Sequence, residues 1–111
     1  FTISISGPVV GDGKIAITDT TTVATDISGS MPYDDGALAV DSVSASTHAS
    51  NGLKYTANQR LCISLSAAVS YVVGGLPFTT TGCLAMSTGA TAYYSNETPF
   101  TSDGRIAVTV V

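Results

Sequence analysis

The phrase GLPFTTTGCLAM, Gly75 to Met86, returns near the C-terminus as TPFTSDGRIAV, Thr98 to Val108. Each copy reads as a rigid residue, an aromatic, a polar turn closed by glycine, and a short strand in which an alanine separates two large apolar residues. Three further copies share the pattern: PVVGDGKIAI from Pro8, PYDDGALAV from Pro32 with one turn residue fewer, and KYTANQRLCI from Lys54, where Lys54 and Gln59 replace proline and glycine. The copies start at 8, 32, 54, 77 and 99, so the steps are 24, 22, 23 and 22 residues. A near-constant step of this size marks a repeat architecture and constrains the fold more than any other feature of the chain.

Within each unit the apolar period is two, as in half-buried strands, and helical periodicity is absent. Phe1 to Ser6 alternates strictly and reads as a strand rather than a secretory leader. Val23 to Ile27, Val69 to Val73 and Thr91 to Tyr94 read as strands preceding the later copies, while Ser44 to Asn51 is the weakest strand signal. Asp12-Gly13, Asp34-Asp35-Gly36 and Asn51-Gly52 are turn signals. The turn glycines are expected at positive φ, and the prolines where no ladder hydrogen bond is lost. Ile15/Ile17, Leu38/Val40, Leu61/Ile63, Leu84/Met86 and Ile106/Val108 form the predicted core. The small residue between each pair, Ala16, Ala39, Cys62, Ala85 or Ala107, implies that the opposite face is crowded as well. The expectation is one all-β domain over residues 1–111. It is an antiparallel sandwich, a jelly-roll-like fold or a barrel of about eight to ten short strands built from five hairpin-like repeats.

Charged residues make up 11% of the chain, well below the ~25% of ordinary domains. So little surface charge suits a protein packed against neighbours. Lys14, Lys54, Arg60 and Arg105 are scattered over four repeats and the net charge is −4, which argues against nucleic-acid or anionic-membrane partners. No apolar run approaches the ~20 residues of a membrane span. Cys62 and Cys83 occupy different slots of adjacent repeats without a spacing motif. They read as small buried thiols, with a bridge left open.

The catalytic inventory is thin, and no enzyme is expected. His48, the only histidine, has no orienting carboxylate or nucleophile near it in sequence and reads as exposed. Asp34 and Asp35 read as turn formers, not as a facing acid pair. Phosphate-loop, calcium-loop and cysteine–histidine metal spacings are absent, so no catalytic, cofactor-binding or metal residue is assigned. Asn96-Glu-Thr98 is a formal glycosylation sequon. Tyr33, Tyr55, Phe78 and Phe100 fill the repeated aromatic slot and are expected to plug the hairpins into the core. Tyr71, Tyr93 and Tyr94 lie just upstream, and Tyr93 and Tyr94 are the candidate interface residues.

The phrase GGLPFTxxGxLA followed one unit later by PFTxxGRIAV, here Gly74 to Met86 and Pro99 to Val108, resembles repeats in virion proteins of tailed bacteriophages. A small acidic chain of this kind resembles their capsid decoration (cement or staple) proteins. That resemblance implies an all-β structural protein on the outer capsid surface that reinforces contacts between major capsid proteins, its partners. A homo-oligomer, dimer or trimer, is expected on a symmetric shell. The alternative is a carbohydrate- or receptor-binding module of a fibre, motivated by the tyrosines.

Overall fold

The structure is a computed structural model that describes residues 13–28, 31–34, 36–42, 46–50, 52–95 and 98–111. The strand expected over Phe1 to Ser6, the start of the first copy, and Asp35, Asn51, Asn96 and Glu97 lie outside the described residues. In chain order the strands are β1 (Ile15–Asp19), β2 (Asp26–Ser28), β3 (Met31–Asp34), β4 (Ala37–Asp41), β5 (His48–Ser50), β6 (Leu53–Tyr55) and β7 (Leu61–Ser64). They continue as β8 (Tyr71–Val73), β9 (Leu76–Phe78), β10 (Leu84–Ser87), β11 (Tyr93–Ser95), β12 (Thr98–Phe100) and β13 (Ile106–Val110). The fold is all-β, with no helix among the described residues.

Repeats two to five are each a three-stranded antiparallel meander, namely β2-β3-β4, β5-β6-β7, β8-β9-β10 and β11-β12-β13. The turn between the middle and inner strands has one geometry in the last three. Thr79 N–H donates to Cys83 O at 2.8 Å and Gly82 N–H to Thr79 O at 3.0 Å, and the same pairs join Thr56, Gln59 and Arg60, and Thr101, Gly104 and Arg105. This is a type I turn followed by a left-handed residue. Gly82 and Gly104 have φ of 84° and 85°, as expected, whereas Gln59 is held at 61°. At Gly82 a Cβ would also lie 2.6 Å from Lys54 Cε, since the lysine of the divergent third copy lies over the turn of the next repeat. Each middle strand meets its inner strand at the aromatic, as in Phe78 opposite Leu84 and Phe100 opposite Ile106. Pro77 and Pro99 therefore sit one residue beyond the inner ladder, where a missing N–H costs no inner pairing.

The inner strands build the centre. Ile17 pairs with Leu38, Val40 with Leu61, Ile63 with Leu84, Met86 with Ile106, and Val108 with Ile15, every pairing parallel. The second large apolar residue of each repeat thus lies opposite the first of the next, and the last repeat meets the first. The result is a closed parallel ring of β1, β4, β7, β10 and β13, with the hairpins radiating from it. The large residues fill its interior, and all ten are at most 2% exposed. Leu53, Tyr55, Leu76, Phe78 and Phe100 from the hairpins join the same buried cluster. The small residues face the other way and are also buried, as parallel strands covered on both faces require.

Two expectations need correction. The sheet is not an antiparallel sandwich or jelly roll, because only the pairings within a repeat are antiparallel. Copies arranged in rotation about one axis carry their last strands in the same sense, so the pairings between repeats are parallel. Among the described residues the strands number thirteen rather than eight to ten, because repeats two to five each carry a middle strand, β3, β6, β9 or β12, besides the two expected.

Gln59→Gly relieves a left-handed conformation and is expected to stabilise by about 1 kcal/mol. Gly82→Val and Gly104→Val are expected to lower the melting temperature. Unchanged denaturation midpoints would contradict the turn assignment.

Candidate functional site

The residue after each turn glycine, or after Gln59, is Lys14, Ala37, Arg60, Cys83 or Arg105. The ring register sets each of these beside the small residue of the preceding repeat: Ala107, Ala16, Ala39, Cys62 and Ala85 respectively. The small slot is thus the floor over which the next repeat's side chain runs.

Arg60 uses this floor to cross two repeats. Its side chain is 0% exposed. Nε–H donates to Val40 O at 2.8 Å, Nη1 to Thr22 O at 3.3 Å and to the Asp34 carboxylate, and Nη2 to Thr18 O at 2.6 Å and Thr18 Oγ1 at 2.7 Å. These bonds match the five donors of a guanidinium, which is what makes burial of the charge tolerable. Asp34 is held in turn by Thr25, whose N–H and Oγ1–H donate to Oδ1 at 2.8 and 2.7 Å. Burial pushes the Asp34 pKa up, but the Thr25 hydrogen bonds and the Arg60 guanidinium outweigh it, and the pKa falls from 3.8 to about 2. Asp34 is therefore more than a turn former, and Arg60 is a buried charge.

Arg105 repeats the arrangement with fewer bonds. Nε–H donates to Asp103 at 2.9 Å, and Nη1 to Leu65 O at 3.1 Å and Met86 O at 3.4 Å. The Thr101 hydroxyl and then Arg105 hold the Asp103 carboxyl below its usual range, against a smaller opposing effect of burial. Lys14 Nζ donates to Thr88 O at 2.8 Å, again two repeats back around the ring. In the fourth repeat Cys83 bonds covalently to Cys62, with Cα atoms 5.0 Å apart. The expectation of free buried thiols is thereby corrected. The two slots, different in sequence, are neighbours across the β7–β10 ladder.

The outer strands carry the aromatics. His48 stacks on Tyr55, Tyr71 on Phe78 and Tyr93 on Phe100, with ring centroids 5.4–5.5 Å apart. Tyr55, Phe78 and Phe100 are buried, as expected, and the half-buried Tyr33 packs against the core. His48 is exposed and touches Thr47 Oγ1 through Nδ1 at 3.0 Å. Tyr93 and Tyr94 are 48% and 58% exposed and alternate in direction on β11. Tyr94 Oη donates to Gly13 O at 2.9 Å, which ties the fifth repeat to the first. Tyr93 lines a groove of about 270 Å³ between repeats four and five, with Val69, Val72, Pro77, Phe100 and Asp103. Tyr71, Val72 and Val73 on β8 extend this exposed apolar strip. Among the described residues no cluster of His, Cys, Asp or Glu is arranged to hold a metal ion.

Comparison with protein-family models, with characterised proteins and with solved structures gives no match.

Arg60→Ala strands a largely buried carboxylate and several carbonyls, and is expected to cost about 3–5 kcal/mol in chemical denaturation. Folding lowers the Asp34 pKa, so its stabilisation is complete above about pH 5 and is lost as pH falls through 3.8 towards 2. Asp34→Asn is expected to flatten that part of the stability–pH profile. Removing the disulfide as Cys62→Ala/Cys83→Ala reopens a sequence separation of 21 residues and is expected to cost about 3 kcal/mol.

Proposed function

We propose that the protein is a structural, non-enzymatic component of a tailed-phage virion that decorates the outer capsid surface and stabilises contacts between major capsid proteins. The repeat phrase supports this reading. The observation that carries it is the form of the periphery. Among the described residues β2, β5, β8 and β11 each pair on one side only, so a ring locked at its centre presents strand edges at its rim. Unpaired edges are templates for strand addition by a neighbour. On β8 and β11 they sit beside exposed Tyr71, Val72, Val73, Tyr93 and Tyr94. A net charge of −4 disfavours attachment to packaged nucleic acid and fits an outer address. Many symmetric copies multiply a modest contact. The copies themselves are proposed to associate as dimers or trimers.

The groove beside Tyr93 favours a second reading, a carbohydrate- or receptor-binding module of a fibre. There the ring of Tyr93, backed by Phe100, would serve as a stacking platform for a sugar.

Purified protein is expected to bind mature phage shells and raise their rupture temperature. Val72→Glu combined with Tyr93→Ala is expected to weaken that binding at least about tenfold. Shells that take up none of the protein would reject the first reading, and a glycan array without signal would reject the second.

A further inference from the structure

The fourth repeat departs from the others where its cation should be, and the departure leaves a space. In the fifth repeat Arg105 reaches Asp103 in its own turn, Met86 O in the preceding repeat and Leu65 O two repeats back. The equivalent positions for the fourth repeat are Thr81, Ile63 and Ser42. All three line one cleft of about 410 Å³, together with Ser64, Ser66 and Thr79. Cys83, which occupies the cation's position, is instead bonded to Cys62 and does not extend into it. Three other niches are occupied. Lys14, Arg60 and Arg105 fill those of their own repeats. In the second repeat, where Ala37 is short, Ile17 O, the counterpart of Val40 O and Met86 O, accepts the N–H of Val111 at 2.9 Å.

The cleft keeps the chemistry of an arginine niche. Its walls combine serine and threonine residues with the apolar Ile63, Leu65 and Ala67, and Thr79 Oγ1 and Thr81 Oγ1 lie 2.9 Å apart, where Thr101 and Asp103 pair beside Arg105. A carboxylate stands behind one wall. Asp19 accepts from Ser42 N–H at 3.0 Å and from Ser42 Oγ at 2.7 Å, which places a carboxylate one hydrogen bond behind a residue of the lining. The volume lies in the range of sites that enclose a small ligand or a side chain.

We propose that this cleft, between repeats three and four, is a receptor for an alkylguanidinium group, taking from outside the cation that the chain supplies itself elsewhere. The group is carried by an arginine side chain of a docking protein or by a free small molecule. The inference rests on the equivalence of the repeats and stands independently of the virion reading.

The test is an amide chemical-shift titration of the oxidised protein with ethylguanidinium. Saturable shifts are expected at Ser42, Leu65, Ser66, Ala67, Thr80 and Thr81 in the millimolar range, with none from sodium chloride at equal ionic strength. Cys62→Ala/Cys83→Arg places a tethered guanidinium on an alanine floor, as in the fifth repeat, and is expected to abolish the shifts. Cys62→Ala/Cys83→Ala leaves the cleft open and is expected to retain them. Agmatine and Nα-acetyl-arginine amide separate the sources. Equal binding of both points to a polypeptide arginine, and binding of agmatine alone points to a small molecule. Absence of saturable shifts in the native protein, or shifts that persist in the folded Cys83→Arg variant, would overturn the proposal. If that variant fails to fold, the native and double-alanine titrations still decide it.

Discussion

Neighbouring inner strands are offset so that the second large residue of one repeat meets the first of the next, and the remaining structure depends on that step. It points two large residues per repeat at a common centre, so a chain with short strands assembles one continuous core. It also brings the residue after each turn beside the small residue of its predecessor, which turns the seam between repeats into a place for specific chemistry. An alanine there admits a guanidinium, and a cysteine there admits a bond. Burying an arginine completely costs several kcal/mol unless its donors are met. Arg60 is tolerated because carbonyls at neighbouring strand ends, Thr18 and Asp34 meet them together.

Much of this was legible in the residues. The repeat, the large pairs from Ile15/Ile17 to Ile106/Val108 and the turn glycines all concern contacts within a unit, where spacing and geometry are tied directly. The crowding beneath Ala16, Ala39, Ala85 and Ala107 was also legible, although its cause was not. The parallel ring was not visible, because hairpin signals such as Gly74-Gly75 report only how adjacent strands turn back on each other. The middle strands β3, β9 and β12 each contain a proline, which reads as a bend rather than as strand, and β5 is three residues long and gains its definition from pairing with β6, so its composition carried little signal.

The site was harder to see, for a related reason. Arg60 stands in the copy that departs most from the pattern, with Lys54 and Gln59 in place of proline and glycine, and Asp34 stands in a turn that any short polar residue would suit. Their partnership spans the ring register, which one repeat alone does not reveal. The same holds for Cys62 and Cys83, which become neighbours only once β7 and β10 run side by side. Aligning the position after the turn glycine across the copies would have shown the succession Lys14, Ala37, Arg60, Cys83, Arg105, a column too mixed for a surface and too polar for a core.

Closure of β13 onto β1 changes how such an array comes apart. In an open stack of repeats, an end unit is held by one neighbour and peels away first. Here every inner strand is flanked on both sides, so releasing any one repeat breaks two seams at once and leaves the rest with an uncovered edge. Fraying from a terminus is replaced by a single concerted opening, and the rim hairpins can loosen while the hub keeps its shape.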